Sequence, residues 1–346
     1  HPGGVPRPSP ADAVVLTVSG GPLAGGAVVV AAGVIAAIGL RADFTGERIS
    51  DWPGVLTPGL VNAHAHLQYG APFAHLASAG LPFAEWIQRL GQIRAGMTDE
   101  DWQASARGSA HQLLKSGTTA VADVYTRDAA VIVATSLGLQ GISYAELAGI
   151  DTRAWSAGAA RLEALLGVSG RSRGVSPHAL YTLGSQVFRD VAAVARAREM
   201  RLHTHLAETA EEAEWVLSGT GPFAAVSASF GLEFELHDIG AAVTPVQHCD
   251  TLGGLGPDVH VAHGVHVDAA DRALLRERGT VVALCTRSNA VLSVGEAPVA
   301  AYLGEGNVVA LGTDSLASTP DLDLLAEARA TRDLARRQGL DGCEEA

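Results

Sequence analysis

Residues 174–206 read GVSPHALYTLGSQVFRDVAAVARAREMRLHTHL, and this stretch decides the fold class. Gly174–Pro177 is a short extended run, Ser185–Arg198 carries apolar residues at helical spacing, and Leu202–Leu206 is extended again. Strand, loop, amphipathic helix and strand form the repeating unit of a parallel sheet. The unit recurs from Pro58 onward. Further strands are predicted at Leu60–Ala65, Thr119–Val124, Gln140–Glu146, Val259–Ala262, Val281–Cys285 and Val308–Gly312. Helices are predicted between them at Asp101–Leu114, Ala159–Leu166, Ala269–Arg278 and Asp321–Gln338. Eight short strands alternating with helices predict an α/β fold, a (β/α)8 TIM barrel. A doubly wound sheet is the alternative on pattern alone. Ser218–Gly240 shows no clear period and is predicted as a loop or lid.

Upstream the pattern is different. Residues 1–10, HPGGVPRPSP, read as a flexible leader without the apolar core of a signal peptide. Residues 11–57 carry the short runs VVLTV, AVVVAA, VIAAIG and RISDW between glycines, which predicts a small β domain. Residues 58–340 are assigned to the barrel and 341–346 to a polar tail. Gly21–Leu40 is uncharged and long enough to span a bilayer. Its β-branched runs, split by Gly33, predict a β-hairpin instead, so no membrane partner is expected.

The 346 residues are 47% apolar and 18% charged, enough for a large core, which excludes a disordered chain. A net charge of -13 excludes the basic footprint of a nucleic-acid partner. Three cysteines with no CxxC pair cannot staple a fold of this size, which fits a reducing cytoplasmic compartment. Lys115 is the only lysine.

In a barrel the C-terminal strand ends face the active site. The predicted ends carry His64-Ala-His66, Pro177-His178, His203-Thr-His205 followed by Glu208, His263 with His266 after it, and Asp314. Seven of the 13 histidines fall there, and that clustering is the main functional signal. HxH on a strand puts both imidazoles on one face, because the side-chain period is two. One such pair could be chance; two, with His263 and Asp314, point to a metal grip. His75, His111, His237, His248 and His260 are read as structural. Cys249 and Cys285 are read as small buried hydrophobes.

TPGLVNAHAHL, SPHALYTL, HTHLAET, VAHGVHV, CTRSNAVL and LGTDSLAS occur in that order. Together they resemble the amidohydrolase superfamily, and within it the mononuclear aminohydrolase branch of deaminases and chlorohydrolases. The resemblance runs from Ala13 to Arg336. It implies that His64, His66, His205 and Asp314 bind one divalent metal, while His203 is not a ligand. Binuclear relatives use a carbamylated lysine at the end of strand 4; Lys115 lies before strand 2, so a single metal is implied. Three imidazoles and a carboxylate suit Zn²⁺, with Fe²⁺ chemically admissible. The resemblance further makes Glu208 the proton shuttle, His263 the group that stabilises the intermediate, and Asp314 an acceptor of the water proton. His178 is implied as a substrate contact. LPFAEWIQRL resembles a lid helix, with Glu85 and Trp86 as candidate nucleoside contacts, although a solvated helix acid reads Glu85 as well. Gln68 either points into the pocket or caps its loop. Thr286 stands where the family's CPxSN turn has proline.

The implied activity is hydrolytic removal of an exocyclic amino group from a purine-type small molecule, with aminodeoxyfutalosine as first choice. Alternatives are deamination of adenosylhomocysteine, methylthioadenosine or guanine, triazine dechlorination, and cyclic amide hydrolysis. A non-catalytic scaffold is the reading from another class, and retention of every ligand position counts against it. A homodimer is implied only by the resemblance. The family's β-sandwich also takes strands from beyond helix 8, and the polar tail RRQGLDGCEEA cannot supply them. The small domain is therefore expected to lack its C-terminal complement, or the native chain to continue past Ala346.

Overall fold

A computed structural model of the chain describes residues 13–17, 20–45, 50–51 and 54–340. They fall into two compact units, one up to Gly59 and one from Leu60. The predicted leader and tail lie outside the described residues.

The first unit contains β1 (Ala13–Val15), β2 (Leu23–Ala24), β3 (Gly26–Ala31), β4 (Val34–Leu40) and β5 (Gly54–Leu56). β1 pairs antiparallel with β2 and parallel with β5, and β3 and β4 form a hairpin. That hairpin occupies the uncharged stretch whose length suits a bilayer. Ala32 and Gly33 turn it with φ of 49° and 78°, the doubly positive geometry that matches strand twist. Among the described residues no helix is long and apolar enough to cross a membrane. The strand predicted at RISDW is not found at Ser50 and Asp51, whereas residues 48, 49 and 52 lie outside the described residues. The strand forms instead at Gly54–Leu56, where the backbone pairs with β1.

The second unit is the barrel. Its strands are β6 (Leu60–Ala65), β7 (Thr118–Tyr125), β8 (Ile142–Leu147), β9 (Ser172–Pro177), β10 (Arg201–Leu206), β11 (Val259–His263), β12 (Val281–Leu284) and β13 (Val309–Leu311). They lie side by side in chain order, every pair parallel. The helices are α1 (Phe83–Ala95), α2 (Asp99–Lys115), α3 (Asp128–Ser136), α4 (Trp155–Leu166), α5 (Ser185–Ala197), α6 (Ala210–Ser218), α7 (Pro222–Ser229), α8 (Pro245–Thr251), α9 (Ala269–Arg278), α10 (Thr286–Leu292), α11 (Val299–Glu305) and α12 (Leu324–Arg337). α5 buries Val187, Phe188, Val191, Ala192 and Ala195, the i, i+4 stripe seen in the sequence. The supposed loop at Ser218–Gly240 contains α7. Pro222 opens that helix at a position where its missing N–H costs nothing, but the segment PFAAVSAS lacks the polar face that makes a helix legible.

Two features bring the strand ends into position. The seam between β6 and the end of β13 is closed through Asn62, which donates from Nδ2 to Thr313 Oγ1 at 2.7 Å and accepts from Thr313 N at 3.2 Å. One residue on, Asp314 N donates to the carbonyl of His64 at 3.0 Å. Gly312 permits this approach, since a Cβ there would stand 2.6 Å from His64 Cβ. The same contacts that close the barrel therefore set His64 against Asp314.

Candidate active site

His64 lies within β6 and His66 follows its end, both pointing to the barrel interior. His203 and His205 take the same two levels on β10. The lower level stacks His203 on His64 with ring centroids 4.8 Å apart and places it against Tyr144 and His260. The upper level brings His66 Nε2 within 3.2 Å of His205 Nε2. Asp314 Oδ1 reaches both strand-1 imidazoles, 3.6 Å from His64 Nε2 and 3.7 Å from His66 Nε2. All four side chains are buried. Neither nitrogen of His64 has a hydrogen-bond partner among the described residues, and nor does His66 Nδ1.

Such spacing suits a cation. Four donors at about 2.0–2.2 Å from a tetrahedral Zn²⁺ stand about 3.3–3.6 Å from one another. Burial lowers the pKa of His64, of His205 strongly, and of His66 to about 3, so the imidazoles present lone pairs rather than N–H⁺ groups. Three groups have donor atoms within 4.8 Å of one another: His64, His66 and Asp314; His64, His205 and His263; and Glu146, His178 and His205.

The surrounding groups fix how these donors point. His205 Nδ1 lies 3.1 Å from the carbonyl of His178, so its N–H faces that oxygen and Nε2 is free for a metal. His263 Nδ1 is held by Asn289 Oδ1 at 2.9 Å, turning Nε2 toward Glu208 Oε1 at 3.6 Å. Ser288 and Ser318 each donate to Asp314 Oδ2 at 2.7 Å, leaving Oδ1 to the histidines. Burial opposes ionisation of Asp314, but interaction with His64 outweighs it and holds the carboxyl well below the usual range. Glu208 is the reverse case. Burial, with the nearby Asp314 charge, raises its pKa well above a normal carboxyl and so favours the protonated form. Its backbone N–H donates to Glu212 Oε2 at 2.8 Å. His263 and Asp314 both adopt positive φ, 76° and 60°, a strained geometry of the kind concentrated at functional sites.

A cavity of about 150 Å³ opens over this centre, lined by His66, His178, His205, Glu208, His263 and Asp314. α1 closes one side with Phe83, Trp86, Ile87, Leu90 and Arg94. The Phe83 and Trp86 rings stack at 5.8 Å and 17°, and Trp86 Nε1 donates to the Ala317 carbonyl at 3.0 Å. The wall is flat, apolar and anchored to the loop after β13.

Three of the sequence candidates lie apart from the cavity lining: His64, on the lower level against His203, and Glu85 and Gln68. The Glu85 side chain is 47% exposed and sits 4.0 Å from Arg89, one helical turn away. Gln68 is buried in the loop after β6, accepting at Oε1 from Thr126 N and Oγ1. The sequence reading missed Arg94, Glu146, Tyr181, Thr182, Leu292 and Ser315, all of which line the cavity. Glu146 had a signal, since it closes the predicted third strand. Arg94 had none, because a helix arginine reads as solvated.

The amidohydrolase family profile matches residues 55–344. The chain belongs to the amidohydrolase family. A 5-methylthioadenosine/S-adenosylhomocysteine deaminase of Haloarcula marismortui is 31% identical over 290 residues, covering 80% of this chain and 61% of that relative. The chain thus spans about three fifths of the length of this curated relative. Among solved structures, a zinc-bound adenosine deaminase from Xanthomonas campestris is similar at TM-score 0.72 and 27% identity, covering 94% of this chain and 73% of its own. Helicobacter pylori aminofutalosine deaminase, in complex with methylthio-coformycin, shares the fold at TM-score 0.79 and 20% identity, with 92% and 79% covered.

For an amidohydrolase centre of this geometry the two serines have a testable weight. Outer groups that orient a metal ligand typically contribute about 10- to 100-fold in metal affinity. Ser288→Ala is expected to weaken zinc binding within that range, measured by competition with a chromophoric chelator. An unchanged affinity in both Ser288→Ala and Ser318→Ala would remove the serines from the site.

Proposed function

We propose that the protein is a metal-dependent hydrolase that removes the exocyclic amino group of a purine-type heterocycle and releases ammonia. The observation that carries this is a buried Glu208, its carboxyl 3.6 Å from His263, in one small cavity with His66, His205 and Asp314, with His64 Nε2 3.6 Å from the same Asp314. His64, His66, His205 and Asp314 would hold the ion, and three nitrogens with one oxygen favour Zn²⁺. When bound, such an ion supplies Lewis acidity that brings the pKa of a coordinated water toward neutral.

The chain's own groups then have distinct tasks. The Phe83–Trp86 wall stacks a planar ring. Glu208 gives its proton to the ring nitrogen next to the reacting carbon as water adds, and Asp314 Oδ1 takes the proton that the water loses. Glu208 next takes the hydroxyl proton of the tetrahedral species and gives it to the amino group, so that the C–N bond breaks, ammonia leaves and the carbonyl forms; the proton held by Asp314 then returns to Glu208. His263 Nε2 stabilises the oxygen of the tetrahedral species. Water and an amidine become a carbonyl compound and ammonia.

For the substrate, the names of the curated relatives favour 5-methylthioadenosine or S-adenosylhomocysteine, and aminodeoxyfutalosine is the second choice on sequence motifs. The test is ammonia release by zinc-loaded protein offered these three with adenosine and guanine. Turnover of one member names the substrate. Silence across the panel with stoichiometric zinc bound would discard purines.

A further inference from the structure

Glu146 is the penultimate residue of the third barrel strand, two strands before the one that leads to Glu208. Its side chain is 3% exposed and lines the cavity, and Oε1 has no hydrogen-bond partner among the described residues. The carboxyl lies within 4.8 Å of a ring nitrogen of both His178 and His205. Glu208 leans the other way, toward His263 on the next strand. Three carboxyls, Glu146, Glu208 and Asp314, thus line one cavity, and the proposed chemistry leaves Glu146 unused.

Burying a carboxyl oxygen without a partner is unfavourable, and such atoms call for a ligand or another explanation. No ion pair joins Glu146 to Arg94 among the described residues, although both line the cavity. A guanidinium offers only donors, whereas a carboxyl keeps an acceptor oxygen in either protonation state. We infer that Glu146 is a specificity residue that accepts a hydrogen bond from an O–H or N–H of the substrate. This rests on the deaminase reading and narrows its substrate class to heterocycles carrying such a donor, either a sugar hydroxyl or a further ring N–H.

The experiment reads binding without turnover. Zinc-loaded protein is titrated calorimetrically with two pairs of compounds that have no amino group to lose. Inosine against 2′,3′-dideoxyinosine tests the hydroxyl source, and xanthine against hypoxanthine tests the N–H source. In one pair the donor-bearing member is expected to bind about 10- to 100-fold more tightly, the range for an unmatched buried polar group. Glu146→Leu should level that pair without moving the donor-lacking member or the zinc content, and Glu146→Gln, which keeps an acceptor oxygen, should retain most of the difference. Equal binding within both pairs, no binding by any probe, or an equal loss for both members in Glu146→Leu would overturn the assignment. The wild-type comparison decides even where a variant does not fold. Ammonia release without a pairwise difference sinks the Glu146 assignment alone, and a pairwise difference without ammonia release sinks the deaminase reading alone.

Discussion

Replacing His64 by alanine is expected to abolish metal binding and turnover together while the barrel stays folded. His64 is fully buried, neither ring nitrogen has a hydrogen-bond partner among the described residues, and Asp314 Oδ1 stands 3.6 Å from its Nε2. Its backbone carbonyl, which receives Asp314 N, survives the substitution. Outer groups alone contribute about 10- to 100-fold in affinity, so loss of a direct donor should exceed that range. Asp314→Ala should act alike, since it removes the carboxylate that faces two imidazoles. The measurement is zinc per chain after dialysis against a weak chelator, with circular dichroism to establish the fold. A His64→Ala protein that keeps one tightly held zinc would overturn the ligand assignment.

Much of this site is legible in the sequence because barrel geometry is local. A strand's two-residue period is enough to place His64 with His66, and His203 with His205, on the inner face. Their separate levels are not legible, because they depend on how far β10 is shifted against β6. That shift sets His203 against Tyr144 and His260, and puts His205 beside His66. The sequence places the eight strands within a few residues of where they form, whereas it gives no range for α3, α6, α7, α8, α10 or α11. α3 explains why. DAAVIVATS buries Ala129, Ala130, Val131, Val133 and Ala134, so almost no polar face marks its period. Contacts across the seam are equally silent. Nothing near Asn62 announces Thr313, 251 residues away, nor do Ser288 and Ser318 announce the carboxylate they share.

Glu208→Gln is expected to leave zinc in place and lower kcat by about 10²–10⁴-fold, the usual weight of a positioned proton donor. Glutamine matches the shape of the side chain and is neutral, the form that burial favours for the Glu208 carboxyl. Folding and metal affinity therefore have little reason to change. What glutamine cannot do is give up a proton and take it back within one turnover. The backbone hydrogen bond from Glu208 N to Glu212 persists, so the loop holds its place. The variant thus separates binding from proton transfer, and a fall in kcat with KM nearly unchanged is the expected signature. Turnover within a factor of ten of the unsubstituted protein would show that another group moves the proton. His263 would then be the next candidate, its Nε2 lying 3.6 Å from the same carboxyl with Nδ1 already held by Asn289.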